Sequence, residues 1–199
     1  MALGKVIIVA GTPGTGKTTV ARAISEKCGL RIINLSELAM EKGYITAYDE
    51  SRSTYIIDED RLVNDILNLA KSSEEHVLVQ THYPEIIPRD IVDRVFILRT
   101  HPLILEKRLL ERGWSRRKIN ENVMAEILGV VASNAVNAFG SELIYEIDTS
   151  STKPEDVAEI ICLAVNGLVK LEPGVKIDWL TMLSPEEVFK FEDYLGSEE

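Results

Sequence analysis

The stretch Gly11-Thr-Pro-Gly-Thr-Gly16-Lys17-Thr18 fits the pattern G-x-x-x-x-G-K-[ST], and it stands between the apolar run ending at Ala10 and a helical segment. This order constrains the fold more than any other feature. A continuous apolar run such as Lys5 to Ala10 suits a strand buried on both faces, which is the condition of a parallel sheet. Glycines at Gly14 and Gly16 let main-chain N–H groups converge on phosphate oxygens at the positive end of the next helix. Lys17 is then placed for the β- and γ-phosphates of ATP, the Thr18 hydroxyl for Mg²⁺, and Thr19 for the α-phosphate. A plain glycine turn joining strand to helix is the alternative, and the complete motif in this context argues against it.

The rest of the chain continues the pattern. Strands are expected at Leu30 to Leu35, His76 to Gln80, Arg94 to Leu98 and Leu143 to Ile147. Helices are expected at Lys17 to Lys27, Ser36 to Lys42, Asp58 to Lys71, Pro102 to Arg112, Arg116 to Phe139 and Pro154 to Val169, the last capped by a Thr152–Glu155 box. Gly43 to Ile57 shows no periodicity and reads as a long loop. Five strands alternating with helices predict an α/β fold, a five-stranded parallel sheet flanked by helices. Beyond Pro173-Gly174 the pattern changes, and Ser184-Pro-Glu-Glu187 is a strong helix start. Residues 171–199 therefore read as a small C-terminal helical extension that packs Trp179, Leu180 and Leu183 on the domain of residues 1–170.

The 199 residues include two cysteines, Cys28 and Cys162, far apart in sequence and without metal or redox spacing. They read as separate buried thiols of a reducing, cytoplasmic compartment. No run of residues has the length and apolarity of a membrane span. Net charge is −10, which argues against sequence-independent binding to DNA or RNA. The charge is segregated, with six basic residues and one acid in 107–118 and three lysines against eight acids in 170–199.

Gly11 to Thr19, Asn34-Leu-Ser-Glu-Leu38, Tyr48-Asp-Glu50, Ile57-Asp-Glu-Asp60, His82, Val95 to Thr100, Arg112 to Asn122 and Lys153 to Val157 occur in an order that resembles the adenylate kinase isoenzyme six family. The resemblance covers about residues 4 to 168. It implies a nucleoside-monophosphate-kinase-like P-loop NTPase, a small adenylate kinase and ATPase of small-ribosomal-subunit (18S/16S-type rRNA) maturation. It further implies a monophosphate-binding flap at 34–57, a lid at 111–121 carrying Arg112 onto the phosphates, and a Lys153 contact to the nucleotide. His82 is implied to position a water or couple hydrolysis to a ribosomal protein partner. Asn34 and Arg99 are expected on the AMP side, although a strand-terminal arginine caps a neighbouring helix equally well. Arg116 and Arg117 read as solvated charges, while Lys118 and Asn122 share a helical face that orients the lid. His76 and His101 read as surface or helix-start residues.

Two positions depart from the family pattern. Gln80 stands where the family has an aspartate that holds a water on Mg²⁺. Met40 stands where adenylate kinases carry an arginine that clamps AMP, and Lys42 is an imperfect replacement. Three functions stay open: transfer of the γ-phosphate from ATP to AMP, ATP hydrolysis as an assembly switch, and a non-catalytic ATP-binding module.

Overall fold

Val6, Ile8 and Ala10 join the hydrophobic cluster on one side of the sheet, Ile7 and Val9 the cluster on the other, and all five are fully buried. Such alternation is what a strand produces when helices cover both faces of its sheet. The computed structural model describes residues 6–50, 54–73 and 75–193. Lys5, residues 51–53 of the flap and residues 194–199 of the extension lie outside the described residues.

The chain begins with β1 (Val6–Ala10), α1 (Lys17–Cys28), β2 (Arg31–Asn34) and α2 (Leu35–Lys42). Next come β3 (Ile45–Asp49), β4 (Thr54–Ile57), α3 (Glu59–Ser72), β5 (Val77–Thr81) and β6 (Val92–Arg99). Helices α4 (Pro102–Glu111), α5 (Arg116–Ile127) and α6 (Val130–Phe139) lead to β7 (Ile144–Asp148) and α7 (Pro154–Val165). Two short helices close the described chain, α8 (Trp179–Met182) and α9 (Pro185–Phe189).

The five expected strands form one parallel sheet in the order β2-β5-β1-β6-β7. The chain moves to one side of β1 for β2 and β5 and to the other for β6 and β7. The crevice beyond the carboxyl ends of the central strands is where such sheets bind ligands. Helices α1 and α7 cover one face, and α2, α3 and α6 contribute to the cluster on the other. A third cluster joins Leu105 and Leu109 of α4, Ile119 and Val123 of α5, and Leu183 and Phe191 of the extension.

Several local expectations are corrected. The long helix from Arg116 divides into α5 and α6, which meet at 49° where Gly129 takes a φ of 62°. Residues 43–57 contain the antiparallel pair β3–β4. That pair packs little of its surface, so its sequence lacks the apolar alternation that betrays a strand. The Thr152–Glu155 box does not form: Lys153 is the N-cap without a side-chain cap, and Pro154 starts α7. The Ser184–Glu187 capping box is present.

Cys28 and Cys162 are joined in a disulfide, with Cα atoms 6.1 Å apart, because α1 and α7 lie side by side. The reading of two separate thiols fails, and with it the argument from free thiols for a reducing compartment. Among the described residues no single helix is long and apolar enough to cross a membrane. In the extension, Trp179 and Leu183 are buried as expected, whereas Leu180 is half exposed.

Candidate functional site

The loop between β1 and α1 is held in shape by what surrounds its glycines. A Cβ on Gly11 would lie 2.5 Å from the Leu98 carbonyl oxygen, and one on Gly14 would lie 2.6 Å from Leu105 Cδ1. Both residues have positive φ, so a side chain there meets strain as well as collision. Gly16 is the N-cap of α1 and offers no side chain to the first N–H groups of that helix, which leaves an anion-binding end.

Lys17 is buried, and its Nζ donates to the carbonyl oxygens of Gly11 at 2.7 Å and Thr12 at 3.1 Å. Burial lowers its pKa to about 7, opposed by the charge of Glu126 and assisted by Arg112. Thr18 accepts a hydrogen bond from the Gln80 side-chain amide at 2.8 Å. The departure from the family pattern therefore sits directly on the hydroxyl expected to meet a metal.

A cavity of about 520 Å³ opens over this loop. Lys17, Thr18, Gln80 and His82 line it beside the loop, Asn34, Ser36 and Thr54 from the segment 34–57, and Arg112, Trp114, Lys118 and Asn122 from the segment 112–122. A second cavity of about 270 Å³ lies beside Gly14, Thr19, Arg108, Thr149, Thr152 and Pro154. Arg112, Gly14, Gly16 and Thr19 line both. The His82 ring stacks near Tyr83, and its pKa is lowered to about 4, first by burial and then by Lys17. It is a neutral imidazole through the physiological range.

Of the remaining expected residues, Asn34 lines the first cavity while its Oδ1 accepts from the backbone N–H groups of Ser36 and Glu37 as the cap of α2. Lys153 lines neither cavity. For Arg99 the AMP reading is corrected and the helix-cap reading holds: it is 2% exposed, its guanidinium donates to the Glu126 and Glu146 carboxylates and the Ile177 carbonyl, and its Nη2 donates to the Glu126 carbonyl in the last turn of α5 at 2.9 Å. Carboxylates and carbonyls occupy it, so it does not meet AMP. Arg116 is not merely solvated, since it donates to Glu106 at 2.6 Å and lies over the Phe191 ring. Lys118 sits over Trp114, and Asn122 Nδ2 donates to the Lys118 carbonyl at 2.7 Å, which places the two on one face of α5. His101 is a helix-start residue, the N-cap of α4. On the acceptor side Met40 is half exposed, and Lys42 lies 3.9 Å from Asp65.

Sequence reasoning missed Arg108, which donates to the Thr149 carbonyl at 2.8 Å in the second cavity, and Glu126. The missed signal for Glu126 is its place three residues after Val123 and seven after Ile119, an acid on the buried stripe of a helix. Among the described residues no group of three or more His, Cys, Asp or Glu side chains is arranged to hold a metal. Thr18 supplies one hard hydroxyl oxygen, a donor set that fits Mg²⁺ carried in by phosphate and otherwise coordinated by phosphate oxygens and water.

Comparison with known proteins gives a consistent result. Residues 7–129 match the family described as an AAA domain. A protein of Sulfurisphaera tokodaii named "Putative adenylate kinase" is 40% identical over 156 residues, 78% of this chain and 80% of that one. Proteins of the same name from Saccharolobus solfataricus and Pyrococcus furiosus are 36% and 35% identical, over 88% and 87% of this chain and 87% and 91% of theirs. Among solved structures, a shikimate kinase from Acinetobacter baumannii in complex with shikimate superposes with a TM-score of 0.55 at 16% identity, covering 83% of this chain and 94% of that one. The YorR protein of Bacillus subtilis in complex with phosphorylated GDP gives 0.54 at 19% identity, covering 81% and 96%. At those identities the structural likeness speaks to the fold, an α/β P-loop kinase architecture.

Proposed function

Since this chain belongs to the P-loop family described as an AAA domain, together with the archaeal adenylate-kinase relatives, we propose that it is an adenylate kinase that moves the γ-phosphate of ATP to AMP and yields two ADP. One observation carries the reading: a single cavity runs from Lys17 and Thr18 of the phosphate loop to Asn34, Ser36 and Thr54 of the flap. Donor and acceptor phosphates can therefore meet inside it without leaving the protein.

In this reading the N–H groups at the start of α1 bind the β-phosphate, and Lys17 exchanges its two carbonyl partners for β- and γ-oxygens. Arg112, at the junction of the two cavities, adds positive charge where the transferring group becomes most anionic. An AMP phosphate oxygen bonds to the γ-phosphorus as the bond to the β-phosphate oxygen breaks, and ADP leaves on each side. Mg²⁺, when bound with ATP at Thr18, supplies charge neutralisation between the β- and γ-phosphates. No protein residue forms a covalent bond to the phosphoryl group, and catalysis is positioning and electrostatics.

ATP hydrolysis is the second reading. It is favoured by neutral His82 in the same cavity, able to accept a hydrogen from water, and by Met40 in place of an arginine on α2. The resemblance to the isoenzyme six family supports placing that hydrolysis in small-subunit rRNA maturation with a small-subunit ribosomal protein as partner.

The test separates ADP from free phosphate while Mg·ATP is turned over with and without AMP. Adenylate kinase activity gives two ADP per ATP, dependent on AMP. Phosphate release unaffected by AMP would overturn it in favour of hydrolysis.

A further inference from the structure

Glu126 is 1% exposed, and its carboxylate gathers four donors from three parts of the chain. Its Oε2 accepts from the Thr12 hydroxyl of the phosphate loop at 2.6 Å. Its Oε1 accepts from Arg99 Nε at 2.9 Å, the Thr100 backbone N–H at 3.0 Å and the Trp179 indole N–H at 3.1 Å. Trp179 belongs to the C-terminal extension, and the residues just before it are fixed to the same charge system. The backbone N–H of Ile177 donates to Glu146 at 2.7 Å, its carbonyl accepts from Arg99 at 3.2 Å, and Arg99 also pairs with Glu146.

We propose that Glu126 is a positioning residue of the phosphate site, the buried carboxylate through which the C-terminal segment 176–179 holds the phosphate loop. The proposal rests on the ATP-binding reading above. Thr12 is the reason that the brace bears on chemistry. Its carbonyl accepts from Lys17 Nζ and from the Thr15 backbone and hydroxyl, so its position sets where the lysine rests and how the loop turns. A hydrogen bond to a buried carboxylate is charge-assisted and stronger than a neutral one. The indole N–H shares an oxygen with Arg99 and Thr100. Removing it therefore redistributes the carboxylate among its other donors, Thr12 included.

Glu126 also acts through its charge. It opposes the desolvation of Lys17. The other charged groups facing this system among the described residues are Arg99 from β6, Glu146 from β7 across that arginine, Arg108 of α4 at the Thr100 hydroxyl, and Arg112 at the end of α4, with the neutral His82 near Lys17 and the His101 ring against Trp179. Only the two carboxylates are negative, and only Glu126 raises the lysine's proton affinity.

The test is a double-mutant cycle on the full chain, with Thr12→Val, Trp179→Phe and both together, read by calorimetric Mg·ATP affinity beside thermal unfolding. Loss of one hydrogen bond to a buried charge weakens Mg·ATP binding about tenfold for Thr12→Val, and about threefold for Trp179→Phe. The two factors fail to multiply, by about twofold or more, because both side chains act through one carboxylate. Thr12→Ser, which keeps the hydroxyl, holds Mg·ATP affinity within about twofold of wild type, a rescue that loosened packing alone does not produce. Unchanged affinity in Trp179→Phe, or factors that multiply, overturns the inference while wild-type binding keeps the ATP reading intact. No heat from wild type with millimolar Mg·ATP overturns both.

Discussion

The phosphate loop and the segment 34–57 face one cavity but are built in opposite ways. The loop hangs between a fully buried strand and a helix packed on α7, its lysine is buried, and its Thr12 is tied to a carboxylate beneath it. Across the cavity the β3–β4 pair is largely exposed, with the Tyr48 and Tyr55 rings 5.0 Å apart and tilted by 58° on the surface and Met40 half exposed on α2. Binding of a polyphosphate is thus built into the core of the fold, where close packing fixes donors in place. In the proposed reaction, recognition of AMP falls to elements that pack little and can move at small cost. In the proposed reaction, the donor site is preformed and the acceptor site is assembled from the exposed segment.

That contrast can be broken most directly at Lys17. Lys17→Met should lower kcat/KM for ATP by about a hundredfold to a thousandfold, as for loss of one preorganised charge donor; a smaller loss would mean that the loop does not carry the chemistry. On the flap side, Met40→Arg places a forked cation one turn from Ser36 on the same face of α2, and should lower KM for AMP about tenfold with little change in KM for ATP. An equal effect on both nucleotides would dissolve the distinction between the two sites.

Gln80→Asp adds a charge to the hydroxyl of Thr18 and should reduce the Mg²⁺ needed for half-maximal binding of ATP about fivefold, measured by titration at fixed nucleotide. The pH dependence sharpens the electrostatic part. Protonated Lys17 is the binding form and titrates at about 7, so kcat/KM should be full below that pH and fall above it. His82 titrates at about 4, below its ordinary 6.5, so the unfolded chain takes up its proton first. Stability should therefore fall as pH drops from 6.5 toward 4, and His82→Asn should flatten that fall in thermal unfolding. The smallest effect belongs to Tyr48→Ala, which should change Mg·ATP affinity by less than about twofold because the ring is exposed on the flap.

Much of the donor site was legible in the chain itself because it is local. Loop, lysine and threonine follow one another within eight residues, and the strand before them announces its burial by unbroken apolar composition. The acceptor side was less legible: an exposed hairpin imposes no apolar alternation, and β3–β4 reads as a loop for that reason. Arg99 misleads for a related cause. Its place at a strand end points to the ligand crevice, yet acids 27 and 47 residues further on decide where its guanidinium goes.

By itself the sequence determined the parallel α/β architecture, the order of its strands along the chain and the anion-binding turn, since periodicity and glycine placement act between near neighbours. Tertiary structure decided that Cys28 meets Cys162, that Gln80 rests on Thr18, and that Glu126 joins Thr12, Arg99 and Trp179. Those contacts span tens to more than a hundred residues. They exist only because burial leaves each polar group to find whatever partner the packing brings within reach.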